Sequence, residues 1–194
     1  MASLNIKKEY SEVSPGVRNA IKTLRTNIRF SSIDKEVKTL VLTSTEPDEG
    51  KSTIAMFLAI SMAETGKKTL LVDMDSHKPV LGNRLGRRGK KSWVDLLTDD
   101  CPIDLAVSPT VQSDLFLLDT DPQLANPVEL IGSNKFDEML ENLKKVYDII
   151  IFDPPPLGTF IEAALLASKS DGTLLVISSG KADETKAREV VDQL

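Results

Sequence analysis

The chain has 194 residues, of which 41% are hydrophobic and 27% are charged. At roughly 150 residues per domain, these values exclude disordered and fibrous classes and indicate one globular domain. The net charge of −5 argues against a nucleic-acid-binding protein. Three features favour a cytoplasmic location. The sequence has a single cysteine, its N-terminus does not resemble a leader, and its longest apolar stretch is only about half the ~20 residues that a membrane helix needs.

An amphipathic helix is predicted near the N-terminus. Ser14 and Pro15 have the residue types of an N-cap and a first helical position. Apolar residues then recur at helical spacing as far as Phe30, namely Val17, Ile21, Leu24 and Ile28.

Five short apolar runs predict strands that are buried on both faces. They cover residues 39–43, 69–72, 115–118, 148–152 and 173–177. Helical segments lie between them, including an almost wholly apolar one from Ser52 to Ala63. Another places five core residues on one face: Phe136, Met139, Leu140, Leu143 and Tyr147. This alternation predicts an α/β fold with a doubly wound, mostly parallel β-sheet flanked by helices in three α/β/α layers.

The loop after the first strand contains a phosphate-binding pattern. Gly50, Lys51 and Ser52 match the end of G-x-x-x-x-G-K-[ST], while Thr45 stands where that pattern has its first glycine. Lys51 is expected to reach the β- and γ-phosphates and the Ser52 hydroxyl to bind Mg²⁺. The strand before the loop and the apolar helix after it favour a P-loop NTPase over a helix start that contains Lys-Ser by coincidence. The predicted phosphate-binding residues are Pro47, Asp48, Glu49, Gly50, Lys51, Ser52 and Thr53.

Three aspartates follow two of the predicted strands directly. Asp73 and Asp75 come after residues 69–72, and Asp153 comes after residues 148–152. Aspartate is also a common turn former, so each residue alone has a structural explanation. Ligands of open α/β sheets bind at the carboxyl ends of the strands, however, and all three carboxylates are predicted to lie there beside the phosphate loop. A carboxylate near the Mg²⁺ ion is expected in such an NTPase.

Taken in order, these motifs resemble those of the bacterial tyrosine kinases (BY-kinases) of the capsular exopolysaccharide family, within the MinD/Mrp-like P-loop ATPases. The likeness rests on a phosphate loop that contains proline, on D-x-D after the second strand and on D-x-P-P after a later one. Residues 24–32 look like the family's helix before the first strand, and residues 126–133 look like its N-P-x-E-L-L-x-S segment. ParA- and MinD-type ATPases are less similar, because they carry a lysine early in the loop where this chain has Glu46.

The resemblance implies an ATP- and Mg²⁺-dependent protein-tyrosine kinase that regulates capsule or exopolysaccharide biosynthesis and export. Carried over by position, the catalytic residues are Lys51, Asp73, Asp75 and Asp153. Ser52, Asp73 and Asp153 would hold Mg²⁺, and Asp75 would lie nearest the tyrosine hydroxyl. The implied partners are tyrosine-containing proteins and a membrane-embedded polysaccharide chain-length regulator that activates the kinase and recruits it to the inner face of the membrane.

Two motifs of the chain depart from the family's pattern. His77 replaces the arginine of D-x-D-x-R, and a lone histidine is more often a local hydrogen bonder than a catalyst. The family's E-x-x-R-x-x-R motif, which pairs subunits into rings, aligns with Asn19, Lys22 and Arg25. Loss of the glutamate removes the anionic partner of that pairing, which weakens the expectation of a homo-oligomer.

The end of the sequence is a further departure. Family members continue through another strand and an autophosphorylated tyrosine-rich tail, whereas this sequence stops at Leu194. Its only tyrosines are Tyr147, expected in the core, and Tyr10, expected in a flexible start. We therefore expect a tail and leading helix in residues 1–35 and a P-loop kinase domain in residues 36–194 that lacks the last strand and the tail. Either the sequence is a fragment or the protein has lost self-phosphorylation.

Two other functions remain open. One is a MinD/Mrp-type ATPase switch, which hydrolyses ATP to change a partner complex. The other is a nucleotide-binding assembly module without efficient phosphoryl transfer.

Overall fold

One sheet organises the computed structural model, which describes residues 10–31, 36–85, 91–98, 101–122, 124–180 and 183–194. Its strands in these ranges are β1 Thr39–Ser44, β2 Thr69–Asp73, β3 Val107–Pro109, β4 Leu115–Leu118, β5 Ile149–Asp153 and β6 Gly172–Val176. The helices are α1 Pro15–Phe30, α2 Lys51–Ala63, α3 Leu81–Arg84, α4 Trp93–Thr98, α5 Ile103–Ala106, α6 Pro127–Ile131, α7 Asn134–Val146, α8 Glu162–Ser168 and α9 Glu184–Asp192.

The strand order is β3-β4-β2-β5-β1-β6. All neighbouring pairs are parallel except β3 and β4, which are antiparallel at one edge. The predicted doubly wound α/β sheet is therefore confirmed. Strand β3 was not predicted, because its three residues are too few for a periodic signal.

Side chains alternate between the two faces of a strand, so successive residues of β1 belong to different hydrophobic clusters. Leu40 and Leu42 pack with residues of α1 and α2, whereas Val41 packs with residues of α4 and α7. Helices thus cover both faces of the sheet, and every residue of β1, β2 and β5 is buried. The prediction of burial on both faces is wrong for β6, whose residues are all half-buried. Among the described strands β6 pairs only with β1, so it lies at an edge.

Helix α1 begins and ends where the sequence predicts. Ser14 is its N-cap, with the hydroxyl accepting a hydrogen bond from the N–H of Val17 at 3.3 Å. Ile21 and Ile28 are buried against α2, but Val17 is 41% exposed and does not belong to the packed face.

The two tyrosines are both buried. Tyr147 belongs to the core as predicted, but the expected flexible position of Tyr10 is wrong. Tyr10 is helical and 5% exposed, and its ring packs on Phe57 of α2 with centroids 5.3 Å apart. Burial raises the pKa of Tyr10 and raises that of Tyr147 to about 12. The predicted tail before Tyr10 lies outside the described residues.

No helix among the described ranges is both long enough and apolar enough to cross a membrane.

Arg25 joins α1 to α2 within the chain. Its Nη1 donates hydrogen bonds to the carbonyl oxygen of Ser61 at 2.6 Å and to the Ser61 hydroxyl at 3.0 Å. Asn19 and Lys22, the other residues aligned with the subunit-pairing motif, are exposed. Arg25 thus has an intramolecular role whatever the state of oligomerisation.

We predict that Arg25→Ala lowers the free energy of unfolding by about 1–3 kcal/mol, because it removes two hydrogen bonds from a charged donor. Urea denaturation of both proteins measures the difference. Lys22→Ala, on the same helix but exposed, is the control and is expected to change stability by less than about 0.5 kcal/mol. Equal effects of the two substitutions would contradict a stabilising role for the Arg25 contacts.

Candidate functional site

The carboxyl ends of β1, β2 and β5 lie side by side at one end of the sheet. Strand β5 lies between the other two, and Asp73 and Asp153 are partners in the register of β2 and β5. Lys51, at the start of α2, donates a hydrogen bond from Nζ to Asp153 Oδ1 at 2.5 Å. The lysine is 7% exposed and the aspartate is fully buried. The strand order therefore brings together three of the four predicted catalytic residues.

Just before α2, the phosphate loop contains two residues whose φ angles are positive, in the left-handed region of the Ramachandran plot. Asp48 has φ +63° and Gly50 has φ +90°, a conformation that glycine adopts without strain. Gly50 is the N-cap of α2, so the first backbone N–H groups of a 13-residue helix point toward the loop. This arrangement supplies positive potential for an anion.

The carboxylate of Glu49 holds the loop in shape. Its Oε2 accepts hydrogen bonds from the N–H and the hydroxyl of Thr45, at 2.8 and 2.7 Å, and from the N–H of Glu46 at 2.9 Å. Its Oε1 accepts from the N–H of Ser178 at 3.2 Å. Burial acts to raise the pKa of Glu49, but the donors at Glu46, Thr45 and Ser178 together hold it below its usual range. The side chain of Glu49 thus supports the loop, while its backbone remains part of the predicted phosphate site.

Asp153 has one oxygen that fits a metal ion. Its Oδ1 accepts from Lys51, whereas its buried Oδ2 has no hydrogen-bond partner among the described residues. Burial raises the pKa of Asp153, and Lys51 and the Ser52 side chain oppose that shift. An unsatisfied buried carboxylate oxygen beside a serine hydroxyl is a chemically suitable pair of ligands for Mg²⁺ or its bound water.

The described part of the chain contains no group of three or more histidine, cysteine or acidic side chains able to hold a metal ion. Mg²⁺ commonly uses one or two carboxylates and takes its other ligands from phosphates and waters. The donor set therefore fits a magnesium ion that arrives with a nucleotide.

Both oxygens of Asp73 organise the chain after β2. Oδ1 accepts from the N–H of Asp75 and Oδ2 from the N–H of Leu81, each at 3.1 Å. Burial, and then the charge of Asp153, raises the pKa of Asp73 to about 8. Because both of its oxygens already accept hydrogen bonds, we expect Asp73 to act on a metal ion through a bound water molecule and not as a direct ligand.

A cleft of ≈ 520 Å³ opens beside these residues. Predicted site residues that line it are Pro47, Asp48, Gly50, Lys51, Ser52, Thr53 and Asp75. Asp75 is half-buried, and its Oδ1 accepts from the N–H groups of His77 at 3.1 Å and Lys78 at 2.9 Å. Asp73 and Asp153 are fully buried and are not part of the cleft lining.

Four further residues belong to this region but were not predicted. Lys78 and Arg84 line the cleft, where Lys78 pairs with Asp48 at 2.7 Å and Arg84 donates to the Thr53 hydroxyl at 2.9 Å. Phe160 and the buried Glu162 lie next to His77. Phe160 and Glu162 lie in the segment that follows the D-x-P-P motif at Asp153. Their closeness in sequence to that motif is the only hint that the sequence offers of a place near the site.

The segment after β5 packs closely on the start of the loop. The N–H of Leu157 donates to the carbonyl oxygen of Ser44 and to the hydroxyl of Thr43, both at 3.0 Å. A Cβ atom on Gly158 would lie 2.0 Å from the carbonyl oxygen of Thr45. Only glycine permits this approach.

Comparison with known proteins identifies several relatives. A family model described as an AAA domain matches residues 37–183. The tyrosine-protein kinase YwqD of Bacillus subtilis (strain 168) is 36% identical over 173 residues, which are 89% of this chain and 73% of that protein. The crystal structure of the chimerical protein CapA2B2 has a TM-score of 0.89 at 30% identity, covering 100% of this chain and 84% of that chain.

A more distant similarity concerns a structure with a bound nucleotide. The septum site-determining protein MinD from Pyrococcus horikoshii OT3, complexed with Mg-ADP, has a TM-score of 0.60 at 25% identity. The match covers 72% of this chain and 57% of that chain. The fold is therefore that of the P-loop NTPases, as predicted.

We predict that Glu49→Gln lowers the free energy of unfolding by about 1–3 kcal/mol at neutral pH, because an amide nitrogen cannot accept the hydrogen bonds that the lost oxygen accepted. The folded-state pKa lies below its usual value of 4.5, so the carboxylate stabilises the fold above that pH and loses its effect as the pH falls through the folded-state value. Denaturation from pH 7 to pH 3 should therefore show the two proteins converging.

Glu46→Gln on the same loop is the control. Within the described ranges the side chain of Glu46 forms an exposed ion pair with Lys186, so its substitution is expected to change stability far less than Glu49→Gln does. A pH-independent difference between the Glu49 variant and the wild type would contradict the assigned role.

We predict that Gly158→Ala displaces the start of the phosphate loop and weakens binding of a fluorescent ATP analogue about 5- to 140-fold, which is the range that an overpacking cost of about 1–3 kcal/mol gives. Gly16→Ala is the control, because a Cβ there would meet its nearest heavy atom at an ordinary 3.8 Å. Unchanged affinity of Gly158→Ala would show that the loop accommodates the methyl group.

Proposed function

We propose that this chain, which belongs to the family of bacterial tyrosine-protein kinases, transfers the γ-phosphate of ATP to tyrosine hydroxyls of protein substrates. The observation that supports this most is the Lys51–Asp153 pair at the end of the phosphate loop, beside the cleft that Asp75 lines. Named relatives support tyrosine as the acceptor. The remaining steps follow from the geometry of the chain's own residues.

The loop and α2 bind the triphosphate. Backbone N–H groups at the start of α2 face the anion, and the Lys51 ammonium lies within reach of both Asp153 and the cleft. Ser52 and Asp153 would hold Mg²⁺, which when bound neutralises charge on the phosphates. Asp73 keeps this end of β2 in place through its two backbone hydrogen bonds.

Asp75 orients the acceptor. The N–H groups of His77 and Lys78 fix its Oδ1, so the carboxylate is held at the cleft wall. A carboxylate is a much weaker base than a phenolate. Phosphoryl transfer is loose, however, so the carboxylate serves by positioning the hydroxyl and taking its proton late.

The role in the cell follows from the same family. We propose that the chain acts at the cytoplasmic face of the membrane in capsule or exopolysaccharide assembly. A membrane-embedded chain-length regulator would activate it. The similarity to the CapA2B2 chimera and to the named kinases supports this assignment.

We predict that the wild-type chain with Mg²⁺–ATP phosphorylates a tyrosine-rich synthetic peptide and that Lys51→Met abolishes both labelling and nucleotide binding. Asp75→Asn should reduce kcat about 10²–10⁴-fold while ATP affinity stays within about twofold, because Asp75 acts on the acceptor. Phosphotyrosine immunoblotting and calorimetric titration with ATP measure the two effects. Lys145→Met, at an exposed position of α7, is the matched lysine control and is expected to match the wild type in both.

Three outcomes would contradict parts of this proposal. Unchanged turnover in Asp75→Asn would remove Asp75 from its role. Phosphate release without phosphotyrosine on the peptide would indicate an ATPase switch. Tight ATP binding without any turnover, even with the cytoplasmic segment of a chain-length regulator present, would indicate an assembly module.

A further inference from the structure

His77 and Phe160 form a stacked aromatic pair at the wall of the cleft. Their ring centroids are 4.0 Å apart and their planes differ by 19°. His77 Nε2 also lies 3.5 Å from Oε1 of Glu162, whose side chain is buried. The imidazole is thus fixed on one face by a ring and at one edge by a carboxylate. Its side chain nevertheless remains 44% exposed, and both rings line the cleft.

The His77–Phe160 pair adjoins Asp75, the residue that is proposed to orient the acceptor hydroxyl. The backbone N–H of His77 donates to Asp75 Oδ1 at 3.1 Å, so the ring and the carboxylate belong to one hydrogen-bonded turn. The same cleft is lined by the phosphate-loop residues Pro47, Asp48, Gly50, Lys51, Ser52 and Thr53. A phenol whose hydroxyl is near Asp75 and faces the phosphates would lie in the cleft that the rings of His77 and Phe160 also line.

A rigid, partly exposed ring pair is suited to holding another aromatic ring. Aromatic rings attract one another in offset-stacked and edge-to-face arrangements. Serine and threonine side chains have no ring and are too short to use such a surface. An arginine at the position of His77 would present a planar but permanently charged guanidinium, whereas histidine presents an aromatic ring.

We propose that His77 and Phe160 form the subsite that binds the phenol ring of the acceptor tyrosine, with Glu162 positioning the imidazole. The proposal rests on the proposed kinase function and adds to it the residues that select tyrosine. His77→Ala and Phe160→Ala should each raise KM for a tyrosine peptide about 2- to 10-fold, which is the range of one aromatic contact. kcat and KM for ATP should stay within about twofold of the wild type.

Two further variants separate the subsite from a structural role. His77→Phe keeps a ring at this position but loses the contact with Glu162, so it should reverse most, but not all, of the rise in KM for the peptide that His77→Ala causes. Phe30→Ala removes a ring that is 67% exposed at the end of α1, and it should leave all the kinetic constants unchanged. Circular dichroism confirms that each variant is folded. A His77→Ala or Phe160→Ala variant that changes kcat or KM for ATP as much as KM for the peptide would overturn the proposal.

A binding measurement distinguishes failure of the subsite from failure of the kinase function. The probe is a fluorescent peptide with phenylalanine in place of tyrosine, titrated with the chain in the presence of a non-hydrolysable ATP analogue. Its Kd should rise by the same factor in both alanine variants. If the wild type phosphorylates the tyrosine peptide but neither KM nor this Kd depends on His77 and Phe160, the subsite is overturned and the kinase stands. If the wild type transfers no phosphate, the proposed function fails and with it the assignment of these rings to an acceptor.

Discussion

The Lys51–Asp153 ion pair is the interaction on which the site depends. Two charges held almost entirely away from water are costly unless each satisfies the other, and removing one partner leaves the second charge buried and uncompensated. The pair exists because β1 and β5 are neighbours, so the loop that leaves β1 ends beside the last residue of β5. The adjacent β2 then adds Asp73 on the other side of Asp153. The order of three strands thus places Lys51, Asp73 and Asp153 together beside the cleft.

Features that depend on local pattern could be predicted from the sequence. Continuous apolar runs predicted five strands, and the rule that ligands meet the carboxyl ends of parallel strands brought Lys51, Asp73 and Asp153 to one place. Features that depend on the path of the chain between elements could not be predicted. Phe160 and Glu162 reach His77 only because the segment after β5 folds back over the loop. The burial of Tyr10 likewise arises from contact with Phe57, far away in sequence.

The phosphate loop carries three acidic residues close to the place where an anion is expected to bind. Each carboxylate has a different partner: Glu46 pairs with Lys186, Asp48 pairs with Lys78, and Glu49 accepts hydrogen bonds from the loop's backbone. Their negative charges are therefore largely offset at the loop itself. Lys51, at the start of α2, pairs with Asp153 instead of with a loop carboxylate, and Lys78 and Arg84 also line the cleft. An acidic protein can in this way keep a cleft that attracts phosphate.

Two of these contacts also join the loop to the chain beyond β6. Lys186 lies on α9, and Ser178 precedes that helix and donates its N–H to Glu49. Displacement of α9 would withdraw the Lys186 cation from the loop. Thermodynamic linkage requires the converse, so a nucleotide that prefers one shape of the loop shifts the equilibrium position of α9 by the same coupling free energy. The two residues that make the ion pair between the loop and α9, Glu46 and Lys186, are 140 positions apart in the sequence.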